Sequence, residues 1–208
     1  MKPAASHTVN RHGKATRYVL YTGFTYNTQE QRKNDSHAAS GLAELFILEK
    51  TGNAWAITQH GKSEVGAWGE PPSLWRFVQV GKQNWGYQTQ NSYTGQGATE
   101  TGQFLLFTDN TRIATSFIPD GSDNSGAYGD CTLYTGAEKR SCQDRQTSLE
   151  AQIRFNRTTE QNGVWGIQAT LSGNIGKKRY TKQKYAMPYN SRTHSHIVPK
   201  NYPLYIAP

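Results

Sequence analysis

The chain has 208 residues, with 23 Lys and Arg against 15 Asp and Glu, giving a net charge of +8. Apolar residues make up only 35% and charged residues 18%, yet 5 Trp, 12 Tyr and 7 Phe supply large side chains to bury, which excludes a disordered chain and fits one domain. No run of about 18 apolar residues occurs, which excludes a membrane-spanning helix. Met1–His7 has no apolar stretch of the kind a secretory leader carries, and it is expected to be a mature start after an added Met.

In chain order, residues 1–16 read as a flexible N-terminal segment, residues 17–187 as a single antiparallel β domain, and residues 188–208 as an extended tail rich in Pro and Tyr. The dominant period within the domain is two. Arg17–Tyr26 opens as a strand. Ser36–Leu45 has room for a turn or two of helix, and no segment carries a clear amphipathic helical pattern. Leu42–Glu49 leads through Lys50-Thr51-Gly52-Asn53 to Ala54–Gln59. Trp75–Val80 leads through Gly81-Lys82-Gln83-Asn84 to Trp85–Gln90, and Gln103–Phe107 through Thr108-Asp109-Asn110 to Thr111–Ile118. Leu149, Ala151, Ile153 and Phe155 alternate with polar residues, and so do Trp165, Ile167, Ala169 and Leu171 beyond an Asn162-Gly163 turn signal. Arg179–Met187 is the last strand. Repeated hairpins of this kind give an all-β fold, an antiparallel sandwich or barrel, followed by an extended basic C-terminal segment.

Cys131 and Cys142, the only cysteines, are close enough to close a small disulfide loop. Thr135–Arg140 between them reads as an exposed turn. Such a pair points to an oxidising compartment, periplasmic or secreted; the other reading is two free cytosolic thiols.

The charge is unevenly placed. No Asp or Glu follows Glu160, while Lys177, Lys178, Arg179, Lys182, Lys184, Arg192 and Lys200 do, so the first 160 residues are nearly neutral. The run Lys177–Tyr185 interleaves cations with Tyr180 and Tyr185. On a strand, Lys178, Tyr180, Lys182 and Lys184 would share a face that holds phosphate, sulfate or carboxylate groups, with tyrosines stacking on sugars or bases. The competing reading is a solvated edge strand whose lysines prevent edge-to-edge pairing. Trp68 and Trp85, beside glycines, are the tryptophans expected to be exposed as sugar platforms, whereas Trp55, Trp75 and Trp165 sit in clean alternation and belong to the core.

Asp120, Asp123, Asn124 and Asp130 lie in a glycine-rich loop whose oxygen-bearing side chains suit calcium. Glycine is not at the sixth place, however, and Cys131 stands where a bidentate Glu belongs, so turn formation is the competing reading. His194 and His196 form a His-x-His pair, with His37 or His60 as third ligands if a metal binds, or otherwise surface residues. Asn156-Arg157-Thr158 matches the glycosylation pattern. No nucleophile elbow, Walker loop or His-Glu-x-x-His motif is present.

These features favour a non-enzymatic extracytoplasmic protein that binds an anionic polymer or surface, such as an acidic glycan or the cell envelope, without a required cofactor. The alternatives are a protein-interaction module (inhibitor, immunity-type or adaptor) with an acidic partner, and a metal-dependent hydrolase using the Asp120–Asp130 loop. Nucleic acid also fits the charge, less well with a disulfide.

Overall fold

The computed structural model describes residues 1–205. It is mostly strand, all antiparallel, as the hairpin pattern requires. The strands are β1 (Lys2–Arg11), β2 (Lys14–Gly23), β3 (Tyr26–Asn27), β4 (Arg32–Lys33), β5 (Gly41–Thr51), β6 (Ala54–Val65), β7 (Arg76–Gln79), β8 (Trp85–Gly95), β9 (Ala98–Thr108) and β10 (Ile113–Asp123). Two short helices follow, α1 (Ser125–Tyr128) and α2 (Gly136–Arg145), and then β11 (Thr147–Gln161), β12 (Val164–Ile175), β13 (Lys178–Met187), β14 (Tyr189–Asn190) and β15 (Ser195–His196).

Strands β1-β2-β5-β6 form one sheet and β13-β12-β11-β10-β9-β8-β7 a second, which curls into a half-barrel. The curl nearly closes at one end, where the Trp165 amide at the start of β12 donates to the Val80 carbonyl just past β7 at 2.8 Å. Two cores result. Tyr18, Leu20, Leu45 and Ile47 of the small sheet pack on Tyr87, Phe104 and Leu106 of the large one. Leu105, Phe107, Ile118, Leu149, Ile167 and Leu171 fill the inside of the curl. Strand β9 lies between these cores, so Phe104-Leu105-Leu106-Phe107 is apolar without alternation, as a strand covered on both faces should be.

Four expectations are corrected. Residues 2–11 are a paired strand rather than a flexible segment, because β1 runs in register along β2 from Lys2↔Thr22 to Arg11↔Lys14. The region from Ser36 to Leu45 contains no helix: it is turn and bend up to Gly41, where β5 begins. The Cys131–Cys142 pair is bonded, with Cα atoms 5.6 Å apart, but the residues between form α2 rather than an exposed turn. Only Cys142 of that helix is buried, so it has no apolar stripe for a periodicity search to find. The tail is not spread over the surface. Tyr189, His196, Tyr202 and Leu204 are buried, and Tyr202 donates to the Pro119 carbonyl at 2.9 Å, while the rest of the tail beyond Tyr205 lies outside the described residues. Of the tryptophans assigned to the core, Trp165 is buried, Trp75 packs partly buried on the inter-sheet core, and Trp55 is half-buried under the Arg17 guanidinium at 4.2 Å.

Candidate functional site

The β12–β13 hairpin carries the basic run. Its turn residue Gly176 has φ +51, and a Cβ there would lie 2.5 Å from the Asp144 carbonyl oxygen, so the turn requires glycine. The Gly176 amide donates to the Gln146 carbonyl at 2.7 Å, which fastens the turn to the end of α2. Lys177, Lys178, Arg179, Lys182 and Lys184 are all exposed. Lys177 pairs with Asp144 at 2.9 Å; among the described residues the other four make no ion pair. An open hollow of about 540 Å³ runs beside them, lined by Ser172, Asn174, Lys177, Arg179 and Lys182.

The cations do not share one face as the sequence suggests: Lys178 lies on the same side of β13 as Tyr180, whereas Arg179 and Lys184 lie on the opposite side. Tyr180 and Tyr185 are 6% and 7% exposed and belong to the core inside the curl. The cause is a bulge between the pairs Leu171↔Gln183 and Gly173↔Tyr180, where Lys182 takes φ +49 and its amide donates to the Ser172 hydroxyl at 3.2 Å. One extra residue reverses the alternation, so two tyrosines five positions apart both point inward. Lys178 still sits 5.0 Å above the Tyr180 ring, but neither ring is available to stack on a ligand.

Helix α2 extends the cationic surface, since Lys139, Arg140 and Arg145 belong to it and the Lys177–Asp144 contact ties it to the hairpin. Arg145 lies 5.0 Å from the Tyr128 ring centroid. The Lys177–Asp144 pair and the Gly176–Gln146 bond thus hold this helix against the basic hairpin, two segments that are separate in sequence, while the disulfide ties the helix to Cys131.

The tryptophan platforms are not assembled at this face. Trp68 is 60% exposed, but on the connection between β6 and β7, edge-on to His37 at 5.8 Å. Trp85 is half-buried between the sheets, edge-on to Tyr18 at 6.3 Å, and offers no free face.

The proposed calcium ligands are dispersed. Asp120 is buried on β10, accepting from Thr101 at 2.6 Å and from the Gln103 side chain. Asp123 accepts from the Ser125 amide and hydroxyl, and Asp130 from those of Thr132. These bonds hold both carboxyls below their ordinary range. Asn124 is spent on the Thr147 amide and the Arg145 carbonyl. Among the described residues no three His, Cys, Asp or Glu side chains converge as a metal site would need. His194 and His196 also diverge. His194 donates from Nδ1 to Asp109 at 2.7 Å, whereas His196 donates from Nε2 to the Trp165 carbonyl at 3.0 Å and meets the Ser116 hydroxyl with Nδ1 at 2.9 Å. Ser116 and His196 are 3% and 6% exposed, so this pair is structural and has no access for a substrate.

A second feature was not legible in the sequence. Across the inside of the curl runs a hydrogen-bonded ladder. Arg76 donates to Gln88 at 2.7 Å, Gln88 donates to Gln103 at 2.8 Å, and Gln103 donates to Asp120. Clefts lie at either end of it, one of about 300 Å³ beside Thr101, Asp120 and Glu150, the other of about 230 Å³ beside Arg76 and Gln88. The chain signals it only by polar residues at inward positions, Gln88 and Gln90 of β8 and Thr101 and Gln103 of β9, and strand pairing is needed to see which face they occupy. Comparison of the chain with known protein families, with curated proteins and with solved structures finds no match.

Proposed function

We propose that this is an extracytoplasmic, non-enzymatic binding protein that engages an anionic polymer or surface through the β12–β13 hairpin and α2. The observation that carries the reading is that Lys178, Arg179, Lys182 and Lys184 are all exposed and, among the described residues, without acidic partners, with Arg179 and Lys182 lining an open hollow. Unpaired, solvated cations on a rigid strand attract repeating anionic groups at little cost in ordering. The proposed compartment rests on the disulfide. Recognition is by charge alone, because the rings of Tyr180, Tyr185 and Trp85 are turned away; an acidic glycan is favoured over a stacked nucleic acid for that reason.

The test is binding of the non-reduced protein to an acidic polysaccharide and to labelled DNA across a salt series. The Lys178→Glu, Lys182→Glu double variant should bind the polysaccharide at least tenfold more weakly and with a shallower salt dependence. Unchanged affinity in that variant removes the reading. An acidic protein partner is the second reading, drawn from the free edge of β13. The bulge at Lys182 disfavours strand addition, so such a partner would meet side chains. Saturable binding to one acidic protein with no affinity for either polymer would select it.

A further inference from the structure

We infer that the cleft inside the curled sheet, at the Arg76 end of the ladder, binds a small amphipathic carboxylate. Its volume is about 230 Å³, below the about 300 Å³ at which pockets for drug-sized ligands begin. The wall is apolar, made by Val78, Leu105, Ile153, Phe155 and Ile167. Three arginines, Arg76, Arg154 and Arg157, line the same cleft. All three are exposed, and among the described residues none is in an ion pair.

The polar groups are preset for an anion. Arg76 gives one N–H to Gln88 and keeps its remaining donors. Every bond of the ladder runs in one direction, from the guanidinium through Gln88 and Gln103 to the buried Asp120 carboxylate. Asp120 thereby fixes both amides, and the polarised chain holds the guanidinium at the cleft without neutralising it by direct contact. Arg157 is held over the Trp165 ring, 5.0 Å from its centroid, with its donors free of protein acceptors. A guanidinium beside an apolar wall matches a carboxylate head on a short hydrocarbon body, since the planar fork accepts both oxygens while the body is removed from water.

Titration calorimetry with octanoate, octanol and acetate tests the site. Octanoate should bind saturably at one per chain, while octanol and acetate fail to saturate over the same range, because each lacks half of the recognition. Arg76→Gln and Arg157→Gln, both at exposed positions, should each weaken octanoate at least tenfold with unchanged thermal melting. Val78→Trp, which fills the cleft without altering its charge, should abolish binding. The Lys178→Glu, Lys182→Glu variant should bind octanoate like the parent, which separates this site from the basic hairpin. Absence of saturable octanoate binding, equal binding of octanol, or parent-like affinity in either arginine variant would overturn the inference, and so would loss of binding in the lysine variant.

Discussion

The Tyr189 hydroxyl donates to Oδ2 of Asp109 at 2.7 Å, across eighty positions of sequence. His194 donates to the same oxygen, and Oδ1 accepts from the Thr111 amide and hydroxyl and from the Arg112 amide. Asp109 is fully buried. Burial by itself would raise its carboxyl, but the bonds from His194, Tyr189 and Thr111 outweigh it and hold the group well below the usual carboxylate range. A buried, multiply bonded carboxylate at the β9–β10 turn is thus the anchor of the C-terminal segment. The opposite partner responds in kind, as burial and the adjacent carboxylate push the Tyr189 hydroxyl far up.

Acid should loosen this anchor in two stages. Burial drives His196 down to about 4, a shift the Trp165 carbonyl opposes only in part. The unfolded chain takes up that proton near pH 6.5 and the folded chain does not, so stability falls as pH drops from about 6.5 to about 4, by on the order of 3 kcal/mol. The depressed Asp109 carboxyl contributes stability that is present above about pH 3.9 and is lost as pH falls further. Urea unfolding at a series of pH values checks this. His196→Gln should be less stable at pH 7 yet show a flatter slope between pH 6.5 and 4; an unaltered slope contradicts the assignment.

Asn84 should be among the costliest polar residues to remove. It accepts from the buried Arg11 guanidinium at 3.0 Å and donates to Asn110 and to the Gly163 carbonyl, each at 3.0 Å. One side chain therefore joins the end of β1 to three hairpin turns. Asn84→Ala leaves a buried cation with one fewer acceptor and should cost on the order of 3 kcal/mol. Chemical denaturation measures it, and a loss below about 1 kcal/mol, the worth of one ordinary hydrogen bond, would mean that the turns are held by packing alone.

Reduction of the Cys131–Cys142 bond should act locally. A loop this short is worth about 3 kcal/mol by chain entropy, but α2 buries only Cys142, and its other ties, from Lys177 to Asp144, Asn124 to Arg145 and Gly176 to Gln146, all lie at its C-terminal end. Amide exchange over residues 136–145 should rise sharply on reduction while β11 and β12 stay protected. Protection retained in α2 would show that its contacts with the β12–β13 turn suffice.

Lys182 gives a test in which stability and binding move in opposite directions. Its left-handed backbone favours glycine, so Lys182→Gly should raise stability by up to about 1 kcal/mol, whereas the β-branched Lys182→Val should lower it by about 1–2 kcal/mol. The glycine variant should also bind the acidic polysaccharide more weakly. Thermal melting and salt-series binding on the same samples read both effects, and tighter binding by Lys182→Gly would count against the proposed role of the strand.

The sequence alone determined the class of fold. Alternation such as Leu149-x-Ala151-x-Ile153 needs only two neighbours to be read, and the Asn162-Gly163 turn is a local property of backbone conformation. It also located the charge and the cysteine pair. What it could not settle was the phase of burial after a bulge. Lys182 reverses the alternation of β13, so counting by two placed Tyr180 and Lys178 with Lys184 and opposite Tyr185, whereas sheet pairing puts both tyrosines inward and leaves Lys184 on the other face. Helix α2 escaped because a disulfide, not an apolar stripe, secures it. The Arg76–Gln88–Gln103–Asp120 ladder escaped because its members meet only after four strands are laid side by side. Periodicity is a property of neighbours along the chain, while the faces that bind or bury are set by pairing between segments far apart in it.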